Sequence, residues 1–351
     1  WNHHFSGENP AGYHWFSVLL HMLVGVELFF LIHQLFREKL LAFGCSLLFI
    51  VHPLQTQAVN YIWSRSVLLM AVFGLGAMIL ARKFPITALI SFQLAIWCRT
   101  EAVMLFLPLI LLNRSFRKAP AAIAGVNAAA FVYSLLKYAP RELAWNHSDL
   151  LGFWMVQPVV FIKYLSLMIW PQGLNVDHDL GPLPWWALIG AAVVVLALSV
   201  QAFRLREKYP VPVLGFLWMV ATLAPSLLVP NSDVLNESRV YLAMAGFTLI
   251  ASWSLLRLTA RRGAVGQWAV AVLPVLLLVP MTMARNEVWK DDLVLWQDSV
   301  HKSPEKARPH YNLGVALMRQ GQYPESEMEF RRAREMDPED DFSYAALAYC
   351  A

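Results

Sequence analysis

The amino-acid sequence predicts an all-α protein in two parts: a polytopic transmembrane helical domain over residues 1–285 and an α-solenoid of short helical repeats over residues 286–351. Three observations carry this. Only 15% of the 351 residues are charged and 58% are hydrophobic, with a mean hydropathy of +0.48, whereas soluble domains carry about 25% charge. The apolar residues up to Met283 fall into runs separated by short polar or basic loops. Beyond them the chain turns abruptly charged, and positions there recur with a period of about 34 residues.

About ten helical spans can be placed, at 13–36, 40–52, 66–81, 84–98, 101–113, 119–137, 184–203, 211–229, 239–257 and 265–283. Loop charge then sets the orientation, because cytoplasmic loops collect Lys and Arg. With residues 1–12 outside, the inside loops hold Arg37 and Lys39, Arg82 and Lys83, Arg114 to Lys118, Arg204 to Lys208, and Arg257 to Arg262. The outside loops carry mostly isolated cations. The run at 152–171 is set apart as an interfacial or re-entrant helix on the outer face: a full crossing would put Arg204–Lys208 on the wrong side. Lys163 and a break at Gln157-Pro158 agree with that placement. The 14 Trp and 11 Tyr suit helix ends at the lipid interface.

In the charged tail, Pro304 recurs as Pro338, Trp296 as Phe330, Ser299 as Ala333, Leu313 as Leu347 and Gly314 as Ala348. These are tetratricopeptide positions, with small residues where paired helices approach and bulky ones between them. One complete repeat is expected at about 307–340, flanked by partial ones.

The segment HPLQTQAVNYIWSRS (52–66), carrying His52 and Arg65, is a polar stretch between two apolar runs. Arg65 can anchor a helix end by reaching to lipid phosphates, or belong to a pocket for an anionic head group, since a guanidinium fork matches phosphate and stays charged. Other outside segments add Arg99 and Glu101 (CRTEA), Glu237, Arg239 and Tyr241 (NSDVLNESRVYL), and Asp177, His178 and Asp179 (WPQGLNVDHD). Each Glu/Arg neighbour pair can equally be a local ion pair capping a helix; that all fall on one face favours a site. His14 and His21 stand seven apart on one helix, without diagnostic metal spacing, so a polar helix contact is expected. The three cysteines show no CxxC spacing and point to neither a metal nor a disulfide framework. There is no Walker loop or nucleotide fingerprint, and a formal charge of +4 gives no reason to expect nucleic acid.

In order along the chain, GYHWFSVLLHML, FIVHPLQTQAVNYIWSRSVLLMAVF, the RTE at 99–101, IWPQGLNVDHD, ESRVYLAMAGF and the repeats resemble the transmembrane-and-tetratricopeptide O-mannosyltransferase family and its bacterial relatives. Two departures stand out: Ser17 lies where an Asn is expected, and Ala243-Met244 replaces Pro-Ser. The resemblance implies a GT-C membrane fold and a glycosyltransferase. It would move a mannose-like sugar from a polyprenyl-phosphate donor to a protein hydroxyl or glycan, with the acceptor held by the repeats. The expected setting is a bacterial inner membrane with the repeats on the periplasmic side. It further implies Arg65, Arg99 and Arg239 for the donor phosphate. His52, Glu101, Glu237 and Tyr241 would support them, the two glutamates orienting the arginines, and Asp177 would line the sugar or acceptor side. No cofactor or metal is assigned. The chain opens without an initiator Met, and the general base is expected ahead of residue 1, Glu8 being the only acid in the first loop. Two rivals remain. A membrane scaffold recruiting partners through the repeats needs no converging charges, and a transporter of lipid-linked sugars wants acids near mid-bilayer, of which the sequence reading finds none.

Overall fold

The computed structural model describes residues 9–106, 150–230, 233–338 and 346–347. The expected span at 119–137 and most of that at 101–113, together with Glu8, Cys350 and residues 339–345 and 348–351 of the charged tail, lie outside the described residues. Among the described residues every regular element is helical.

Helix α1 (Pro10–Phe36) opens with Asn9, whose side chain accepts the Ala11 amide, and with Pro10 in the first turn, where its missing N–H costs nothing. It closes on Arg37 in the left-handed region, φ 60°, with the Arg37 amide on the His33 carbonyl. Helix α2 (Lys39–Val51) bends by 56° at His52 into the segment Pro53–Asn60, which ends in the short helix α3 (Thr56–Asn60). The residue before a proline is held out of the helical region, and His52 is extended there. Helices α4 (Arg65–Leu80) and α5 (Pro85–Cys98) follow as an antiparallel pair, then a 3₁₀ segment Thr100–Phe106. After α6 (Leu150–Ile169) come α7 (Trp185–Leu205), α8 (Pro210–Leu228), α9 (Ala243–Leu258) and α10 (Gly263–Val288). Among the described residues six helices are long and apolar enough to cross a membrane, or seven if the bent segment 39–60 is one span. Helices α5 and α9 are shorter apolar helices.

The core lies between α1, α2, α4, α8 and α9. Val24, Phe49, Leu68, Leu75, Ala243 and Met244 are fully enclosed there. Close approach depends on small residues, as expected for helices packing where lipid tails offer no apolar advantage. A Cβ on Gly246 would collide with the Gly215 carbonyl, and one on Gly215 would come within 2.5 Å of the Gly246 carbonyl.

Helix α6 is continuous. Pro158 sits inside it without breaking it, and Gln157 Nε2 donates to the Phe153 carbonyl one turn back, beside the gap in the helical ladder. Three contacts fix its course. Trp154 Nε1 donates to the Leu228 carbonyl at the end of α8, the Tyr164 hydroxyl exchanges hydrogen bonds with the backbone of Asn236, and the Met168 carbonyl meets His52 Nε2. Leu228 closes α8, His52 closes α2 and Asn236 precedes the turn into α9, so these contacts, spread over roughly 21 Å of α6, all fall at one end of the bundle.

Helices α11 (Asp292–Lys302), α12 (Ala307–Arg319) and α13 (Tyr323–Met336) form the charged tail. Phe330 and Ala333 of α13 are fully buried against α12, where a Cβ on Gly314 would stand 2.6 Å from the Phe330 ring. Gly314 and Phe330 thus meet where α12 and α13 pack together. One helical hairpin and its leading helix are described.

Candidate functional site

Arg99 ends α5 in extended conformation, its amide still on the Ala95 carbonyl. The turn brings its guanidinium onto Glu101, Nε to Oε2 at 3.0 Å and Nη2 to Oε1 at 2.7 Å. Arg239 sits in a 3₁₀ turn, Glu237–Val240, capped by Asn236, whose side-chain oxygen accepts both the amide and hydroxyl of Ser238. The Arg239 Nη1 donates to the Asp233 carbonyl. Arg99 and Arg239 line one narrow cleft with Glu101, Thr222, Ser226 and Ser238, and with Val67 and Met70 of α4. Burial disfavours the charged form of Arg99, but the Glu101 carboxylate outweighs it and holds the guanidinium above its ordinary pKa. Burial also pushes the Glu101 carboxyl up, and Arg99 more than reverses that shift. Burial depresses Arg239, and the like charge of Arg99 adds to the effect. Two guanidinium groups facing one carboxylate leave this cleft with an excess positive charge.

Arg65 is not in that cleft. At about 100° per residue, Val67 and Met70 lie on the face of α4 opposite Arg65, whose guanidinium stands 5.0 Å over the Tyr13 ring. On this other side a second and larger cleft, about 660 Å³, opens between the 60–63 turn and the charged tail. His14, Tyr61, Trp63, Trp289, Trp296 and Arg319 border it. The Trp63 side chain is 83% exposed.

The remaining expected residues build the frame. His52 is buried; its Nδ1 accepts the Leu54 amide, so Nε2 carries the proton given to the Met168 carbonyl. The Tyr241 hydroxyl bonds His21 Nδ1 at 2.8 Å, and His21 Nε2 meets the Ile50 carbonyl. Thus His21 joins helices, as its place on an apolar face suggests. Glu237, wholly buried, accepts at Oε1 from the Asn175 amide and from His178 Nε2, both at 2.7 Å. It therefore holds the 171–180 loop, while Glu101 is the carboxylate on an arginine of the cleft. Asp177, 2% exposed, takes Lys306 on one oxygen and Arg308 on the other. Ser303 donates to the Asp177 carbonyl and receives the Asp179 amide, Lys306 also reaches the His178 carbonyl, and Arg308 Nη1 reaches Asp233 at 2.6 Å. Asp177 thereby clamps the start of the helical hairpin onto the bundle.

Sequence reasoning missed Asn175, Ser303, Lys306 and Arg308, whose partners lie more than sixty positions away. It also missed Glu27, the mid-helix acid whose absence counted against a transporter. Glu27 lies in the middle of α1, and a Cβ on Gly76 would stand 3.2 Å from its Oε1. No group of His, Cys, Asp and Glu that could hold a metal occurs among the described residues.

These features define a polytopic helical membrane protein with a cationic cleft at one end of its bundle and a helical hairpin clamped beside it. Over nearly its whole length the chain is similar to protein O-mannosyl-transferases of the transmembrane and tetratricopeptide type. It is 23% identical to the protein O-mannosyl-transferase F38B6.6 of Caenorhabditis elegans across 96% of this chain and 52% of that protein. It is 25% identical to the human protein O-mannosyl-transferase TMTC1 across 95% and 46%, and 22% identical to mouse TMTC4 across 91% and 54%. The chain spans about half the length of the curated relatives it matches. No protein-family model and no solved structure matches it.

Proposed function

We propose that this chain is the membrane portion, with the first repeats, of a glycosyltransferase that moves a mannose-like sugar from a polyprenyl-phosphate donor to a protein hydroxyl on the extracytoplasmic side. The observation that carries the reading is the cleft in which Arg99 and Arg239 face Thr222, Ser226 and Ser238 at the bundle end. In the transfer, the acceptor oxygen forms a bond to the anomeric carbon as the bond from that carbon to the phosphate oxygen breaks. The phosphate leaves with the electron pair, and the hydroxyl proton passes to a carboxylate base. Arg99 and Arg239 hold the charge that grows on the departing phosphate, where preorganised cations act most strongly. Glu101 fixes the Arg99 fork on its Nε and Nη2 edge, so the phosphate meets the Nη1 side. Helix α6 lies as an interfacial element beside the donor lipid, its Tyr164 fixing the Arg239 turn.

The aromatic cleft on the other side of α4 holds polypeptide flanking the acceptor hydroxyl, which itself reaches the anomeric carbon in the arginine cleft. Exposed indoles there stack on sugar or peptide faces, and the clamp at Asp177 sets the tetratricopeptide hairpin beside them. Resemblance of the whole chain to O-mannosyl-transferases supports a protein acceptor. In the full-length protein, Arg99→Ala and Arg239→Ala should each lower sugar transfer at sub-saturating donor by roughly ten- to a hundred-fold, the loss of a charge-assisted contact of about 1.5–3 kcal/mol. Lys should rescue in part. Transfer at the parental rate by both alanine variants would overturn the assignment.

A further inference from the structure

Helix α7 has no buried residue along its 21 positions, yet it does not stand in open surroundings. Between it, the start of α8 and the end of α9 runs a groove of about 840 Å³, at the end of the bundle opposite the arginine cleft. Leu198, Leu205 and Phe216 form its apolar walls, and Lys208 and Arg257 stand at its mouth. Each cation rests on an aromatic ring, Lys208 at 5.2 Å from the Tyr209 centroid and Arg257 at 5.4 Å from that of Trp253. Those rings themselves meet edge to face at 5.7 Å, so the two cations are supported by one aromatic step. Among the described residues no carboxylate lines the groove; the nearby Glu207 pairs with Arg206.

An apolar groove of this size within a bilayer is filled by hydrocarbon, and two cations at its mouth without a lining acid select a negative head group. We infer that this groove is a binding site for an anionic glycerophospholipid, its acyl chain along Leu198, Leu205 and Phe216 and its phosphate between Lys208 and Arg257. Basic loops gather at this end by the charge asymmetry alone, so the test must separate a built site from general surface charge.

The purified full chain is released from detergent for native mass spectrometry with dioleoylphosphatidylglycerol or dioleoylphosphatidylcholine. One phosphatidylglycerol should be retained in preference to phosphatidylcholine. Lys208→Ala with Arg257→Ala should lower that retention about ten-fold or more. Arg204→Ala with Arg206→Ala, equally basic but outside the groove, should leave it unchanged. Ala202→Trp, which fills the groove and keeps both cations, should also displace the lipid, and inorganic phosphate should not compete. Equal retention of the two lipids, parental retention by the Lys208/Arg257 variant, or an equal loss in the Arg204/Arg206 variant would overturn the site.

Discussion

Asp177 offers the sharpest test of how the hairpin is held. Asp177→Asn keeps the shape and the backbone contacts to Ser303 but removes the charge shared by Lys306 and Arg308. A buried pair broken on one side costs about 3–5 kcal/mol, an exposed one about 0–1 kcal/mol. Asp177 is 2% exposed whereas Lys306 and Arg308 are 32% and 45% exposed, so solvent screens the cations and the expected cost is about 1–3 kcal/mol. If opening is fast relative to cleavage, trypsin attack after Lys302 and Lys306 should rise by roughly five- to a hundred-fold. The bond after Arg308 precedes a proline and gives an internal reference. Burial pushes the Asp177 carboxyl up, but Arg308 and then Lys306 hold it below its ordinary value. A carboxyl so lowered stabilises docking fully above the unfolded pKa near 3.9 and loses that contribution as pH falls through the folded value. Protection should therefore be equal at pH 7 and pH 5 and fail only below about pH 4. An unchanged cleavage rate, or the same rise in the exposed-site control Glu335→Gln, would refute the clamp.

Gly314→Val should drive a side chain into the buried Phe330 ring and cost about 1–3 kcal/mol, read as faster proteolysis within 307–336 with the bundle intact. In a cysteine-free background, cysteine at Trp63 or Lys290 should react with an impermeant thiol reagent on intact cells, and cysteine at Lys83 should not; the reverse pattern would invert the orientation. Trp63→Ala and Trp296→Ala should raise the KM for acceptor several-fold with donor affinity unchanged, a split that steady-state kinetics with each substrate varied will show.

Much of this arrangement is legible in the chain. Hydropathy places the helices, and proline and polar residues mark their ends within a few positions. The Arg99–Glu101 pair is local, two residues apart, and its contact follows from the sequence. Gly314 and Phe330 stand out in the sequence as a small and a bulky residue of the charged tail, though not as partners. What the chain hides is which side of a helix a residue faces once its neighbours are packed. Arg65 stands in the same polar loop as His52, yet helical rotation turns it away from the face that meets Arg99 and Arg239. Glu237 and Asp177 look like site carboxylates because they are acids near a membrane boundary. Their partners, His178 and Asn175 for one and Lys306 and Arg308 for the other, are set by long-range packing that no local pattern encodes. The span expected from 239 begins instead at Ala243, because Asn236 caps a 3₁₀ turn ahead of it.

The central claim is that Arg99 and Arg239 together hold the donor phosphate. It is tested most directly by titrating a polyprenyl phosphate into the detergent-solubilised full-length protein by calorimetry. Arg99→Ala and Arg239→Ala should each weaken binding by roughly ten- to a hundred-fold, while Arg331→Ala, an exposed pair with Glu327, binds as the parent does. Parental affinity in both cleft variants would contradict the account.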